Sequence, residues 1–200
     1  MRFEQFYEGV DMNYTKEMED WFNERTRRHI ELVQKYANLI AEYKPEVFGD
    51  LVEIVENHDA SKLNDESERV PYIFLSWNYH CKDLKKDFVL SDSLKEKTHE
   101  ATMHHVINNK HHPEYWAGET AQINKDDRDA VSKELVDATT MPELYLGELV
   151  ADWMAMSEER GNTVKEWADK VVNKRWKFTD KQKDVIYDLI QNVKDNPNEV

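Results

Sequence analysis

The chain has 200 residues, of which 40% are hydrophobic and 34% are charged, a composition typical of a single globular domain. Its formal net charge of −14 at neutral pH repels polyanions and argues against binding to long nucleic acid. The single cysteine, Cys81, cannot form an internal disulfide, and no apolar run is long enough to cross a bilayer. We therefore expect one domain over residues 1–200 with a loose tail at 190–200, a cytoplasmic location and no membrane partner.

The first half of the chain predicts helices that place histidines on apolar faces. Only five glycines and five prolines occur, so long helices can form between them. Apolar residues at helical spacing predict a first helix over Tyr14–Tyr43, with His29 on its apolar stripe. A second helix is predicted over Pro45–Asn57, and the doublet His58-Asp59 lies at its C-terminal end.

The polar stretch ASKLNDESERVP, residues 60–71, predicts a turn or loop. The apolar stretch at 72–84 predicts a short buried helix, with a strand as the alternative. Residues 91–109 predict another helix, whose end Pro113 enforces.

The second half of the chain predicts further helices. One is expected from Lys125 to about Ala138, and one follows Pro142, with Asp152 on its apolar stripe. The last two, at 164–176 and 179–193, are predicted to be packing elements only. Together these patterns predict an all-α chain of about seven to nine helices.

Histidines are unevenly distributed along the chain. Seven of the eight fall between His58 and His112, and four of them lie in the run HHVINNKHHPEYW. Imidazole beside carboxylate is a ligand set of transition metals, and Asp152 on a buried stripe needs a partner. The sequence therefore predicts metal chemistry, with His29, His58-Asp59 and Asp152 facing inward from three helices.

The order His29, His58-Asp59, Asp152 resembles the H…HD…D pattern of the HD-domain superfamily, metal-dependent phosphohydrolases built from helices. The stretch HDASK matches the HD-x-x-K form, and HHPEYW is similar to the histidine run of two-metal members. The motifs HDASKL, H-x-x-x-N-x-HHPEYW from His105, and E-x-x-x-DW at 148–153 look more closely like an uncharacterised HD-like family often encoded by bacteriophages. A phage origin would make the location the host cytoplasm.

This resemblance implies an HD-like helical domain and one or two divalent transition metals, with Mn, Fe, Co, Ni and Zn all open. It implies a metal held by His29, His58, Asp59 and Asp152, and a second ion on His105, His111 and His112. Asp59 and Lys62 are the expected catalytic residues. The side chains expected to contact substrate are Arg25, Lys62, Lys110, Glu114 and Trp116.

The expected activity is hydrolysis of a small phosphate ester, most plausibly a nucleotide, by metal-activated water. Two alternatives stay open: a di-iron oxygenase of the HD type, and a non-catalytic protein that binds a nucleotide or a partner. His80 is a rival metal ligand, and His104, out of phase with His105, is expected to be structural. A homodimer is also open. The sequence contains no glycine-rich phosphate loop, Gly-x-Ser-x-Gly elbow or Cys-x-x-Cys pair, which argues against kinase, serine hydrolase and structural zinc classes.

Overall fold

The computed structural model describes residues 12–123 and 134–193. In these ranges the chain forms ten α-helical segments and one pair of two-residue parallel strands. The helices are α1 (Lys16–Tyr43), α2 (Pro45–Phe48), α3 (Leu51–Ile54), α4 (Ala60–Asn64), α5 (Glu66–Asp83), α6 (Asp92–Asn108), α7 (Pro113–Trp116), α8 (Glu143–Arg160), α9 (Val164–Val171) and α10 (Asp180–Asn192). The strands are β1 (Val136–Asp137) and β2 (Trp176–Lys177), and short 3-10 turns cover Val55–Asn57 and Gly118–Thr120.

The prediction of an all-α chain is confirmed. The predicted helix over residues 45–57 is broken into α2, α3 and a 3-10 turn, and counting α2 and α3 as one element gives nine helices. None of the helices in the described ranges is long and apolar enough to span a membrane.

The predicted loop at residues 60–71 is wrong, because α4 and the first third of α5 occupy it. Asp65 caps α5, with its Oδ1 accepting hydrogen bonds from the Ser67 backbone N–H at 2.9 Å and from the Ser67 hydroxyl at 2.7 Å. Glu66 and Glu68 in the first turn favour a helix N-terminus. The polar composition that suggested a loop is therefore that of a capped helix start.

Two other predicted helices need correction. Most of the one predicted from Lys125 to Ala138 lies outside the described residues, and its described end forms β1 instead, with the Val136 N–H donating to the Arg175 carbonyl at 3.0 Å. The helix predicted to reach residue 176 ends at Val171, since Asn173 adopts a left-handed backbone with φ of 54°. In the loose tail predicted at 190–200, residues 190–192 are helical, as part of α10, and residues 194–200 lie outside the described residues.

The chain divides into two compact units, each with its own hydrophobic core. Unit 1 comprises residues up to Arg28 and Asp59–His105, and its core forms around Phe22, Val70 and Ile73. Unit 2 comprises His29–His58 and Val106 onward, and its larger core includes much of α8. Helix α1 contributes its first half to unit 1 and its second half to unit 2. That the two units together form a single domain stays a prediction.

Candidate metal centre

Helix α8 carries the acidic side chains of the candidate centre in unit 2. Glu148, Asp152 and Glu159 are spaced by four and seven residues, so all three lie on one face of the helix. Their side chains are 5%, 16% and 11% exposed. Carboxylates buried to this degree are stable only beside a partner of opposite charge.

His29, from the second half of α1, packs against this face. Its Nε2 lies 3.0 Å from Oδ1 of Asp152, and its Nδ1 lies 3.1 Å from Oε2 of Glu159. The ring is thus held between two carboxylates of α8.

His58, which follows the 3-10 turn after α3, repeats this arrangement. Its Nδ1 lies 3.0 Å from Oε1 of Glu148, and its Nε2 lies 4.0 Å from the same Asp152 oxygen that His29 faces. His111 adds a third imidazole, with Nδ1 at 3.4 Å from Glu148 Oε1 and its ring centroid 4.2 Å from that of His58. Three of the four residues in the H…HD…D pattern therefore come together within unit 2, from three separate segments.

The ionisation of the two central carboxyls follows from these contacts. Burial would raise the pKa of Asp152, but the hydrogen bond with the His29 ring and the neighbouring imidazoles lower it well below its usual value. Burial likewise opposes ionisation of Glu148, and hydrogen bonds with His111 and His58 lower its pKa. Both groups are carboxylates at neutral pH.

The orientation of the rings fits a metal ion. His29 and His58 each face a glutamate oxygen through Nδ1 and the Asp152 Oδ1 through Nε2. Carboxylate oxygens only accept, and a neutral imidazole has a single N–H to donate. When a glutamate takes that N–H at Nδ1, Nε2 carries a lone pair and faces an aspartate oxygen that also carries lone pairs. This repulsion is removed by a second proton on the ring or by a cation shared by the two atoms.

The spacing of the donors is consistent with the shared cation. Two ligand atoms that each lie about 2.0–2.2 Å from one ion are roughly 3 to 4 Å apart, and the distances of 3.0 and 4.0 Å from Asp152 Oδ1 to the Nε2 atoms of His29 and His58 fall in this range. A histidine that binds a metal commonly contacts a carboxylate through its other ring nitrogen. Here His29 contacts Glu159 and His58 contacts Glu148 in this way. Unit 2 contains another group of residues whose ligand atoms lie close enough to hold an ion, namely His58, His111 and Glu148.

Unit 1 contains the same arrangement around His105 of α6. Its Nδ1 lies 2.9 Å from Oε2 of Glu68, and its Nε2 lies 3.0 Å from Oδ1 of Asp59. Burial would raise the pKa of Glu68, but the hydrogen bonds and charge of His105, with further hydrogen bonds, lower it. Lys62 pairs with the other oxygen of Asp59.

Asp59 itself has a strained backbone. Its φ of 56° lies in the left-handed region, which aspartate tolerates better than most residues but at some cost. It is 2% exposed and begins α4. Buried side chains held at such positions are concentrated at functional sites, which supports a role for this carboxylate.

A groove of about 490 Å³ opens beside the metal-competent residues of unit 2. His58, His111 and Glu148 line it together with Lys110 and Tyr145. The Lys110 ammonium donates to the Tyr145 hydroxyl at 3.2 Å. Trp116 lies next to this pair, since its Nε1 donates to the Lys110 carbonyl at 2.9 Å and its ring is 5.4 Å from that of Tyr145.

Other predicted site residues lie elsewhere. Glu114 is 1% exposed, and its Oε1 accepts from the Trp176 indole at 2.8 Å, so it anchors α7 to the interior of unit 2 and does not line the groove. His112 is buried beside His111, with ring centroids 4.2 Å apart. Arg25 is half-buried on the unit 1 part of α1, and its contact with a substrate stays a prediction.

Two further histidines of unit 1, His80 and His104, contact side chains of the same unit. His80 stacks on Trp21 with centroids 3.8 Å apart and lies 5.1 Å from Trp77, which is the environment of a packing residue. His104 is half exposed and contacts Glu68 at 2.9 Å.

Sequence reasoning missed the roles of Glu68 and Glu159. Glu159 could have been found from its spacing of seven residues to Asp152, which marks a shared helix face. Glu68 had no such signal, because its segment was predicted to be a loop.

No curated protein and no solved structure matches the chain. One family model matches residues 18–192, which include both histidine–carboxylate sets. The chain therefore belongs to a family of unknown function, DUF5662.

Proposed function

We propose that the protein is a metal-dependent phosphohydrolase that cleaves a small phosphate ester, with a nucleotide as the substrate favoured by the resemblance to HD-domain enzymes. The observation that carries this proposal is the convergence of His29 and His58, through their Nε2 atoms, on one oxygen of Asp152. Structural ion pairs alone do not require two imidazoles on one oxygen.

His29, His58 and Asp152 would hold the ion, and Asp59, the next residue after His58, stays a predicted ligand from the resemblance. An ion bound there would lower the pKa of a bound water toward neutrality and polarise a phosphoryl oxygen. Mixed imidazole and carboxylate donors suit Mn, Fe, Co, Ni and Zn. A second ion on His105, His111 and His112 stays a prediction.

Side chains of the protein would then orient the histidine ligands and neutralise negative charge on the substrate. Glu159 and Glu148 would hold the proton of His29 and His58 on Nδ1, which would leave the lone pair of each Nε2 to bind the ion. Lys110 at the groove offers an ammonium to a phosphate oxygen. Lys62, paired with Asp59 in unit 1, is proposed to neutralise charge that develops in the reaction.

Phosphate release from a panel of phosphomonoesters, measured with metal-replete protein under anoxia, tests the activity. We expect turnover by the wild type and a loss of at least about a hundredfold in Asp59→Asn and Asp152→Asn. Asparagine keeps the shape of the side chain and tolerates the left-handed backbone at residue 59, so these variants isolate the carboxylate charge.

Two outcomes would contradict the proposal. Full metal content and turnover in Asp59→Asn would remove this residue from the mechanism. Oxygen uptake with an iron-loaded protein, without phosphate release from any ester, would favour the oxygenase class.

A further inference from the structure

The groove of unit 2 has walls of different charge. One wall is formed by α3 and its 3-10 turn and carries the carboxylates of Glu53 and Glu56. Residues 108–111 contribute Lys110 to the lining, and α8 adds Tyr145. A molecule in this groove thus meets one ammonium and two exposed carboxylates, besides the buried histidine–glutamate cluster.

Glu53 and Glu56 are available to a ligand. Within residues 12–123 and 134–193 neither carboxylate has a hydrogen-bond or ion-pair partner, whereas Glu148, the third acid of the groove, is held by His58 and His111. Two unneutralised carboxylates beside one ammonium repel a second phosphate and attract hydrogen-bond donors or a cation.

We infer that the groove selects a substrate that carries one phosphate group and, a few bonds away from it, an ammonium or a cluster of hydrogen-bond donors. In this assignment, which rests on the proposed function, the phosphate lies toward His58, His111 and Lys110. The donor-bearing part lies along Glu53 and Glu56, which are the specificity-determining residues. Nucleoside diphosphates and triphosphates are excluded as good substrates, because their additional phosphates would face the acidic wall.

Three phosphonates of similar length test this selection without any reaction. The probes are 3-aminopropylphosphonate, butylphosphonate and 4-phosphonobutyrate, which place an ammonium, a methyl group or a carboxylate at the same distance from the phosphonate. Calorimetric titration of the metal-replete protein should give affinities in that order, with about a fivefold step from the first probe to the second. Raising the salt concentration should reduce the step, since exposed charges are screened.

The double variant Glu53→Gln, Glu56→Gln provides the decisive comparison. It should bring the three dissociation constants to within about twofold of one another, because the removed charges supply the discrimination. The matched control is Glu46→Gln, an exposed glutamate on α2 that does not line the groove, and it should keep the wild-type order.

Equal binding of the three probes by the wild type, or an unchanged order in the double variant, would overturn the inference. Failure of the proposed function is a separate result. If the predicted binding order is found but no ester is hydrolysed, the groove assignment stands and the phosphohydrolase proposal falls.

Discussion

Glu148 faces two imidazoles with one carboxylate oxygen, at 3.0 Å from Nδ1 of His58 and 3.4 Å from Nδ1 of His111. A carboxylate in this position fixes the tautomer and orientation of each ring and increases the electron density on the opposite nitrogen. Glu159 does the same for His29. Neither glutamate is in the predicted ligand set, yet both determine the orientation of the histidines in that set.

Glu148→Gln and Glu159→Gln should each raise the metal dissociation constant by about ten- to a hundredfold, because an amide supports an imidazole ligand less well than a carboxylate does. Competition with a chromophoric chelator measures this change. Glu143→Gln, at the start of the same helix, should leave affinity unchanged, since Glu143 pairs with Lys181 away from the histidines. Equal affinities in all three variants would remove the supporting role of the glutamates.

The sequence was informative at residues where two signals coincide. His29 and Asp152 combine a helical apolar stripe with a place in the ordered H…HD…D pattern, and the structure brings them to 3.0 Å. Glu159 has no place in the ordered H…HD…D pattern, and it lies in a run of charged residues at the end of α8. Long-range partners of this kind depend on how helices pack, and local periodicity does not report packing.

Elements that end on unusual backbone or paired strands were harder to predict than long helices. Periodicity identified α1 and α8 closely, since each has a continuous buried face over many turns. It failed at β1, where the pairing partner is β2, some 40 residues later, and at α4 and the start of α5, where polar capping residues resemble a loop. Val70 and Ile73 are buried in the core of unit 1, and this burial favours the capped helix over a loop.

Gln182 of α10 joins two elements of unit 2. Its buried amide nitrogen donates to the carbonyls of Met141 and Ala138 at 2.8 and 3.1 Å, in the segment that leads into α8. Gln182→Met should lower the free energy of unfolding by about 2 kcal/mol, because it removes the amide donor of the Met141 carbonyl and the acceptor of the Thr179 N–H. Urea denaturation measures the change.

Gln191→Met is the matched control on the exposed side of α10 and should change the unfolding free energy by less than about 0.5 kcal/mol. Equal stabilities of the two variants would show that the buried amide does not hold α10 to that segment.

At the scale of the whole molecule, the chain carries 41 acidic and 27 basic residues. Part of this excess is buried among the histidines of each unit, where a bound cation would offset it. The all-α class follows from composition and periodicity. The division into two units does not, because its first boundary, Arg28 to His29, falls inside α1 and no glycine or proline marks it.

Removal of metal with a chelator should lower the melting temperature, since a ligand bound only by the folded state stabilises it by about 2.7 kcal/mol at a hundredfold excess over its dissociation constant. Hydrogen exchange should then accelerate most in α8 and around His58, and least in residues 73–83 of unit 1. A uniform change along the chain, or none, would contradict a centre built on α8.

The metal content of freshly purified protein tests the central claim most directly. Elemental analysis should find about one or two transition-metal ions per chain in the wild type and in Glu143→Gln. Asp152→Asn, which should remain folded by circular dichroism, should retain less than about a tenth of that content. A wild-type protein that is free of metal and binds none on titration, or an Asp152→Asn variant with full content, would contradict the account.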